Sequence, residues 1–195
     1  MAEKTTVVTP ERYAQGFNYS DYLAQIKVNQ DRFAMYDETA VEAVTDDDAG
    51  FFKSAVEKGC SRVVVIGEDW CPDVYRGMPV IGRIAAVSGM DMKVFARDEN
   101  LDIADEFLNR GEFRSIPTLV FYNADQEYLC HWIERPDSVT QEMADITKAV
   151  ETELAGQSEE AVRDARRERV NARFPEWQKE TVRDIRALLS QTLGM

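Results

Sequence analysis

The chain has 195 residues, and its 36 acidic side chains against 23 basic ones give a net charge of −13. That excess argues against nucleic acid or an anionic membrane as the main partner, and no apolar run reaches the roughly 18 residues of a membrane span. Hydrophobic residues make up 44% and charged residues 30%, a globular composition. The first residues lack the apolar stretch of a signal peptide, so the expected compartment is the cytoplasm.

Taken in order, residues 8–45 read as helical. Thr9-Pro10-Glu11 is a helix-start signal, with Thr9 as N-cap and Pro10 at the first helical position. A second helix is expected from Ser20-Asp21, with Leu23, Ile26, Val28, Phe33, Ala34 and Met35 loosely on a 3.6-residue period. Asp46, Asp47 and Asp48 place negative charge at the start of a third helix, and Gly59 ends it. Val63 to Ile66 is a continuous β-branched run, the pattern of a strand buried on both faces. A polar loop, Glu68-Asp69-Trp70-Cys71, leads to Pro72 and a helix to about Val87. Met92 to Ala96 reads as a strand, and Asn100 to Asn109 as a helix with Leu101, Ala104, Phe107 and Leu108 on one face.

Pro117 to Tyr122 is a strand with proline at its first residue, where a strand tolerates one. Asn123-Ala124-Asp125 turns the chain into a return strand, Tyr128 to Ile133, and Val139 to Leu154 is a helix. Folding that hairpin about Ala124-Asp125 sets Cys130 opposite Leu119. The order β-α-β-α-β-β-α predicts a mixed four-stranded sheet with helices on both faces. In residues 157–195, eight basic and seven acidic side chains nearly cancel. Two helices are expected there, one on each side of Pro175. The second carries an apolar row at Trp177, Val182, Ile185, Leu188, Leu189 and Leu193. This tail either packs on the acidic body or acts as a dimerisation or partner-binding arm, with a homo-oligomer as one outcome.

Three cysteines, Cys60, Cys71 and Cys130, are too few for a disulfide scaffold. They have no zinc-finger spacing, and one histidine, His131, builds no metal site alone. No metal or cofactor is expected. Any chemistry must centre on a thiol.

Val63–Ile66 followed by Trp70-Cys71-Pro72, then Ile116-Pro117-Thr118 and a hairpin, resembles the thioredoxin superfamily over roughly residues 47–155. The resemblance implies an α/β thioredoxin-like fold, with residues 1–46 as an N-terminal helical extension and 156–195 as a C-terminal helical tail. It further implies that Cys71, at a helix N-terminus, is the nucleophile. Ile116-Pro117, with a cis bond, would dock an extended peptide or thiol, with Trp70, Pro72 and Asp73 lining the place. A thiol reacts only as thiolate, and unpaired backbone N–H groups at a helix start favour that form.

The sequence departs from the family pattern in three ways. The second cysteine of the C-x-x-C motif is replaced by Val74. The buried acid that handles protons is replaced by Val65. Asp73, two residues after the thiol, opposes a thiolate, although Arg76 or Arg114 could offset it. Cys60 and Cys71 should lie at opposite ends of the central strand, and Cys130 is expected to be a buried structural thiol. Two functions follow: exchange through one thiol, with a protein or low-molecular-weight thiol or disulfide as partner, or a redox-inert binding or assembly module on the same fold.

Overall fold

The computed structural model describes residues 6–195. Helix α1 (Pro10–Tyr13) starts as expected, with the Thr9 hydroxyl accepting from the N–H of Arg12. The next helix differs from the sequence expectation. It is two helices, α2 (Tyr19–Gln25) and α3 (Gln30–Ala43), because Ile26 is extended and Asn29 is left-handed at φ 59°. Asparagine tolerates that conformation better than most residues. The break is also held from outside. The Asp69 carboxylate accepts from the N–H of Lys27 at 2.8 Å and of Val28 at 3.3 Å, and Asn29 Nδ2 donates to the Asp69 carbonyl. Helix α4 (Asp46–Glu57) begins in a reciprocal cap between Thr45 and Asp48.

The sheet has four strands: β1 (Arg62–Gly67), β2 (Asp91–Ala96), β3 (Thr118–Tyr122) and β4 (Tyr128–Ile133). Their order is β2-β1-β3-β4, with β1 parallel to β2 and antiparallel to β3. Val63, Val64, Val65 and Ile66 are all fully buried, as a β-branched run covered on both faces requires. Helix α5 (Pro72–Ser88) makes the crossover from β1 to β2 and ends at Gly89, left-handed at φ 79°. Between β2 and β3 the expected ten-residue helix is only one turn, α6 (Leu101–Ala104), flanked by 3-10 turns at Arg97–Glu99 and Asp105–Phe107. Leu101 is exposed while Ile103 and Phe107 are buried, so the apolar face differs from the one read in the sequence.

The β3–β4 connection is wider than Ala124-Asp125. The N–H of Asn123 donates to the Glu127 carbonyl, and Gln126 is left-handed at φ 65°. Cys130 therefore pairs with Phe121, two residues farther from Pro117 than Leu119. Helix α7 (Asp137–Glu153) and helix α8 (Glu159–Leu193) complete the chain. Helix α8 is one 35-residue helix, with Pro175 inside it. An interior proline costs about 3 kcal/mol. Burial of Phe174 and Trp177 on either side, together with Val182, Ile185 and Leu189, supplies the opposing packing energy.

The apolar row of α8 shares one core with the sheet and with Phe33, Tyr36 and Phe52 of the helices before it. Gln178, 1% exposed, has its amide satisfied on both sides. Nε2 donates to the carbonyls of Tyr36 and Arg76, and Oε1 accepts from the Thr39 hydroxyl at 2.7 Å. No described helix is long and apolar enough to cross a membrane.

Trp177 is the largest fully buried side chain in α8, and its indole N–H donates to Glu142 at 2.6 Å. Trp177→Ala should lower the unfolding free energy by about 3–5 kcal/mol, read from urea denaturation of the full chain. A loss below about 1 kcal/mol would show that α8 contributes little to the core.

Candidate functional site

The site forms where β1 ends and α5 begins. The two approach closely: a Cβ at Gly67 would lie 2.9 Å from both Met78 Cε and Val74 Cγ1. The loop between them is fixed by its own acids. Asp69 holds the α2–α3 break, and Glu68 accepts from the N–H of Asp98 at 2.7 Å. These two anchors, in a segment whose composition marks it only as a polar loop, set where Cys71 emerges.

Cys71 is the N-cap of α5, and Pro72 is its first residue. The carbonyl of Cys71 accepts from the N–H groups of Val74 and Tyr75, each at 3.1 Å. The thiol is 9% exposed and points at the Ile116 carbonyl, with Sγ 3.8 Å from that oxygen. The Ile116–Pro117 bond is cis. Pro117 also lies against α5, since a Cβ at Gly77 would meet Pro117 Cγ at 3.7 Å. Cys71, Pro72, Ile116 and Pro117 are thus brought together. Trp70 sits at the rim, 49% exposed, with the Arg97 guanidinium 5.1 Å from its ring centre.

Burial is the largest influence on the Cys71 thiol and pushes its pKa up. The backbone amides of Val74 and Asp73 and the charge of Arg135 pull it down, while the Asp73 carboxylate adds to the rise. Asp73 is itself raised, by burial first, against the lowering effect of Arg135 and Arg76. Its partner is Arg135, Nη2 to Oδ2 at 2.5 Å. Arg135 also pairs with Glu134. Arg114, one of the two offsets weighed from sequence, instead pairs with Asp105 at 2.6 Å. Arg135 follows β4 directly, and only the β3–β4 hairpin brings it to α5, so nothing in its local sequence marks it as a site residue.

The positions of the missing redox groups are apolar and closed: Val65 and Val74 are both fully buried. Cys60 and Cys130 are free thiols in the core. Cys60 is pushed up to about 12, by burial and then by the charge of Cys130 beside it. Cys130 interacts with Thr192 of α8 and is also raised, first by burial. Among the described residues, no group of three or more His, Cys, Asp or Glu side chains is placed to hold a metal ion.

A thioredoxin family model matches residues 16–152. The chain belongs to the thioredoxin family. Among curated proteins none matches. Two solved structures share the fold. A Pseudomonas aeruginosa protein described as of unknown function superposes with a TM-score of 0.62 at 12% identity, covering 94% of this chain and 98% of its own. An HIV epitope-scaffold superposes with a TM-score of 0.66 at 12% identity, covering 96% and 99%. At such identity they speak for the thioredoxin fold alone.

Asp73→Asn removes the carboxylate that opposes a Cys71 thiolate and frees Arg135 to favour it. Alkylation of Cys71 near neutral pH should therefore speed up in this variant, measured by mass spectrometry over time. Slower alkylation would mean that lost positioning of Arg135 outweighs the charge effect.

Proposed function

We propose that this thioredoxin-family chain carries out thiol–disulfide exchange through a single thiol, Cys71, and holds its partner in the groove beside Pro117. The observation that carries this reading is the thiol at the N-cap of α5, 3.8 Å from the carbonyl of the cis Ile116–Pro117 unit. Cys71 is the nucleophile. Ile116 and Pro117 offer backbone and ring to an extended segment, and Trp70, Pro72 and Asp73 bound it. The Cys71 thiolate attacks one sulfur of a partner disulfide, the S–S bond breaks, and the other sulfur leaves as thiolate. A second, external thiol then attacks the mixed disulfide and restores Cys71. Val74 provides no internal sulfur for that second step, so resolution comes from the client or from a small thiol.

The second reading, a redox-inert binding or assembly module, is favoured by the burial of Cys71 and the upward shift it causes. The two differ in how reaction depends on pH. A raised thiol pKa keeps the thiolate scarce at neutral pH and lets it grow as pH climbs past the ordinary thiol value of about 8.5.

Treatment of the folded protein with oxidised glutathione should give one adduct, at Cys71. Its yield should be low near pH 7 and climb severalfold toward about pH 9.5. Cys71→Ser should abolish it, and Val74→Cys should raise turnover in a disulfide-reduction assay. Intact-mass spectrometry on the three single Cys→Ser variants reads the site. Labelling at Cys60 or Cys130 alone, or none at alkaline pH, would leave the inert module standing.

A further inference from the structure

Beside the first turn of α5 lies a cleft of about 420 Å³, closed on its far side by α7 and α8. Five arginines line it: Arg76 on α5, Arg135 after β4, and Arg163, Arg166 and Arg167 on α8. In a chain of net charge −13 this is a local reversal of sign. The carboxylates paired with these groups are Asp73 and Glu134, both on Arg135, and Asp164, on Arg163 and Arg167. Five guanidiniums against three carboxylates leave positive charge in excess.

Two of the arginines carry buried donors with nothing to donate to. Arg76 is only 6% exposed, yet Nε has no hydrogen-bond partner, and neither does Nε of Arg135. Arg76 Nη2 donates to the neutral Oδ1 of Asn171 at 2.6 Å, and its guanidinium lies 4.4 Å from the ring centre of Phe174. No carboxylate among the described residues forms an ion pair with it. The Asp73 carboxylate, in ion contact with Arg135, interacts with Arg76 through charge without pairing with it. A buried guanidinium without an ion pair of its own is costly, and an unpaired buried donor needs an explanation.

We infer that this cleft binds a phosphorylated small molecule, its phosphate taken by Arg76, Arg135 and the Arg163–Arg166–Arg167 face of α8. The planar guanidinium fork matches phosphate oxygens two at a time. The cleft falls within the size range of small-molecule sites and exceeds what a bare anion fills. Met143 and Val170 supply apolar wall for the remainder of such a ligand. A nucleic-acid backbone fits poorly, because the acidic body around the cleft would repel it.

The inference does not depend on thiol exchange, so it is tested in the full chain carrying Cys71→Ser. Calorimetry at matched ionic strength compares inorganic phosphate, pyrophosphate and citrate. Pyrophosphate should bind one per chain, more tightly than phosphate or citrate. The combined variant Arg163→Ala, Arg166→Ala, Arg167→Ala should weaken it at least tenfold. Arg76→Lys, which keeps the charge and loses the fork, should weaken it too. Arg163 and Arg167 are largely exposed, so the α8 variant tests the cleft even where the buried Arg76 change disturbs folding. Absence of pyrophosphate binding, equal affinity in the parent and the α8 variant, or citrate binding as tightly as pyrophosphate would overturn the inference.

Discussion

One buried amide, Gln178, ties the long terminal helix to α3 and α5, and the arginine cleft beside α5 depends on that seat. Its Nε2 reaches backbone carbonyls on α3 and α5, and its Oε1 takes the Thr39 hydroxyl. A polar group at 1% exposure is tolerable only when so satisfied, because an unpaired buried amide costs about 1–3 kcal/mol. The contacts therefore specify one register of α8 against α5. That register puts Phe174 over the Arg76 guanidinium and Asn171 beside it, and it carries the arginine face of α8 up to the first turn of α5.

The thiol sits where opposing effects meet. A helix start with free amides and a nearby guanidinium favours a thiolate, whereas near-complete burial and an adjacent carboxylate oppose it. Burial has the largest effect. Dithiol relatives follow their attack with an internal second thiol and a buried acid. Here both positions are filled by valine with no solvent access. Val74 in particular packs into the space that Gly67 leaves open, so the second-thiol position serves as a β1–α5 contact.

Much of the fold was legible because local and global signals agree. The β-branched run of β1, the Thr9 and Thr45 caps, and glycines 59 and 89 each act through their own neighbours in sequence. The expectations failed where distant groups decide. The α2–α3 break depends on Asp69, some forty residues away. Continuity of α8 through Pro175 depends on the core it covers. The position of Cys130 depended on the width of a loop closed by a left-handed Gln126, a residue with no turn signature of its own. In the site, Trp70-Cys71-Pro72 and Ile116-Pro117 were legible through their resemblance to the family's motifs, and Val74 and Val65 as departures from that pattern. Arg135 was not, because it reaches Asp73 only after the hairpin has formed.

The overall charge is a poor guide to what this surface recognises. Residues 157–195 are close to neutral, so the acidic excess belongs to the body. The arginines of α8 are not spread evenly over that body. Arg186 is drawn to Asp47 and Asp48 and Arg173 to Glu142, where each forms a docking contact. Arg163, Arg166 and Arg167 meet instead the buried guanidinium of Arg76 and the half-buried one of Arg135. Like charges gathered in this way repel, and the repulsion acts against the docking that the other α8 arginines favour. A bound anion would convert it into attraction, while the contacts of Gln178 and Trp177 that seat α8 involve none of the cleft-lining arginine side chains.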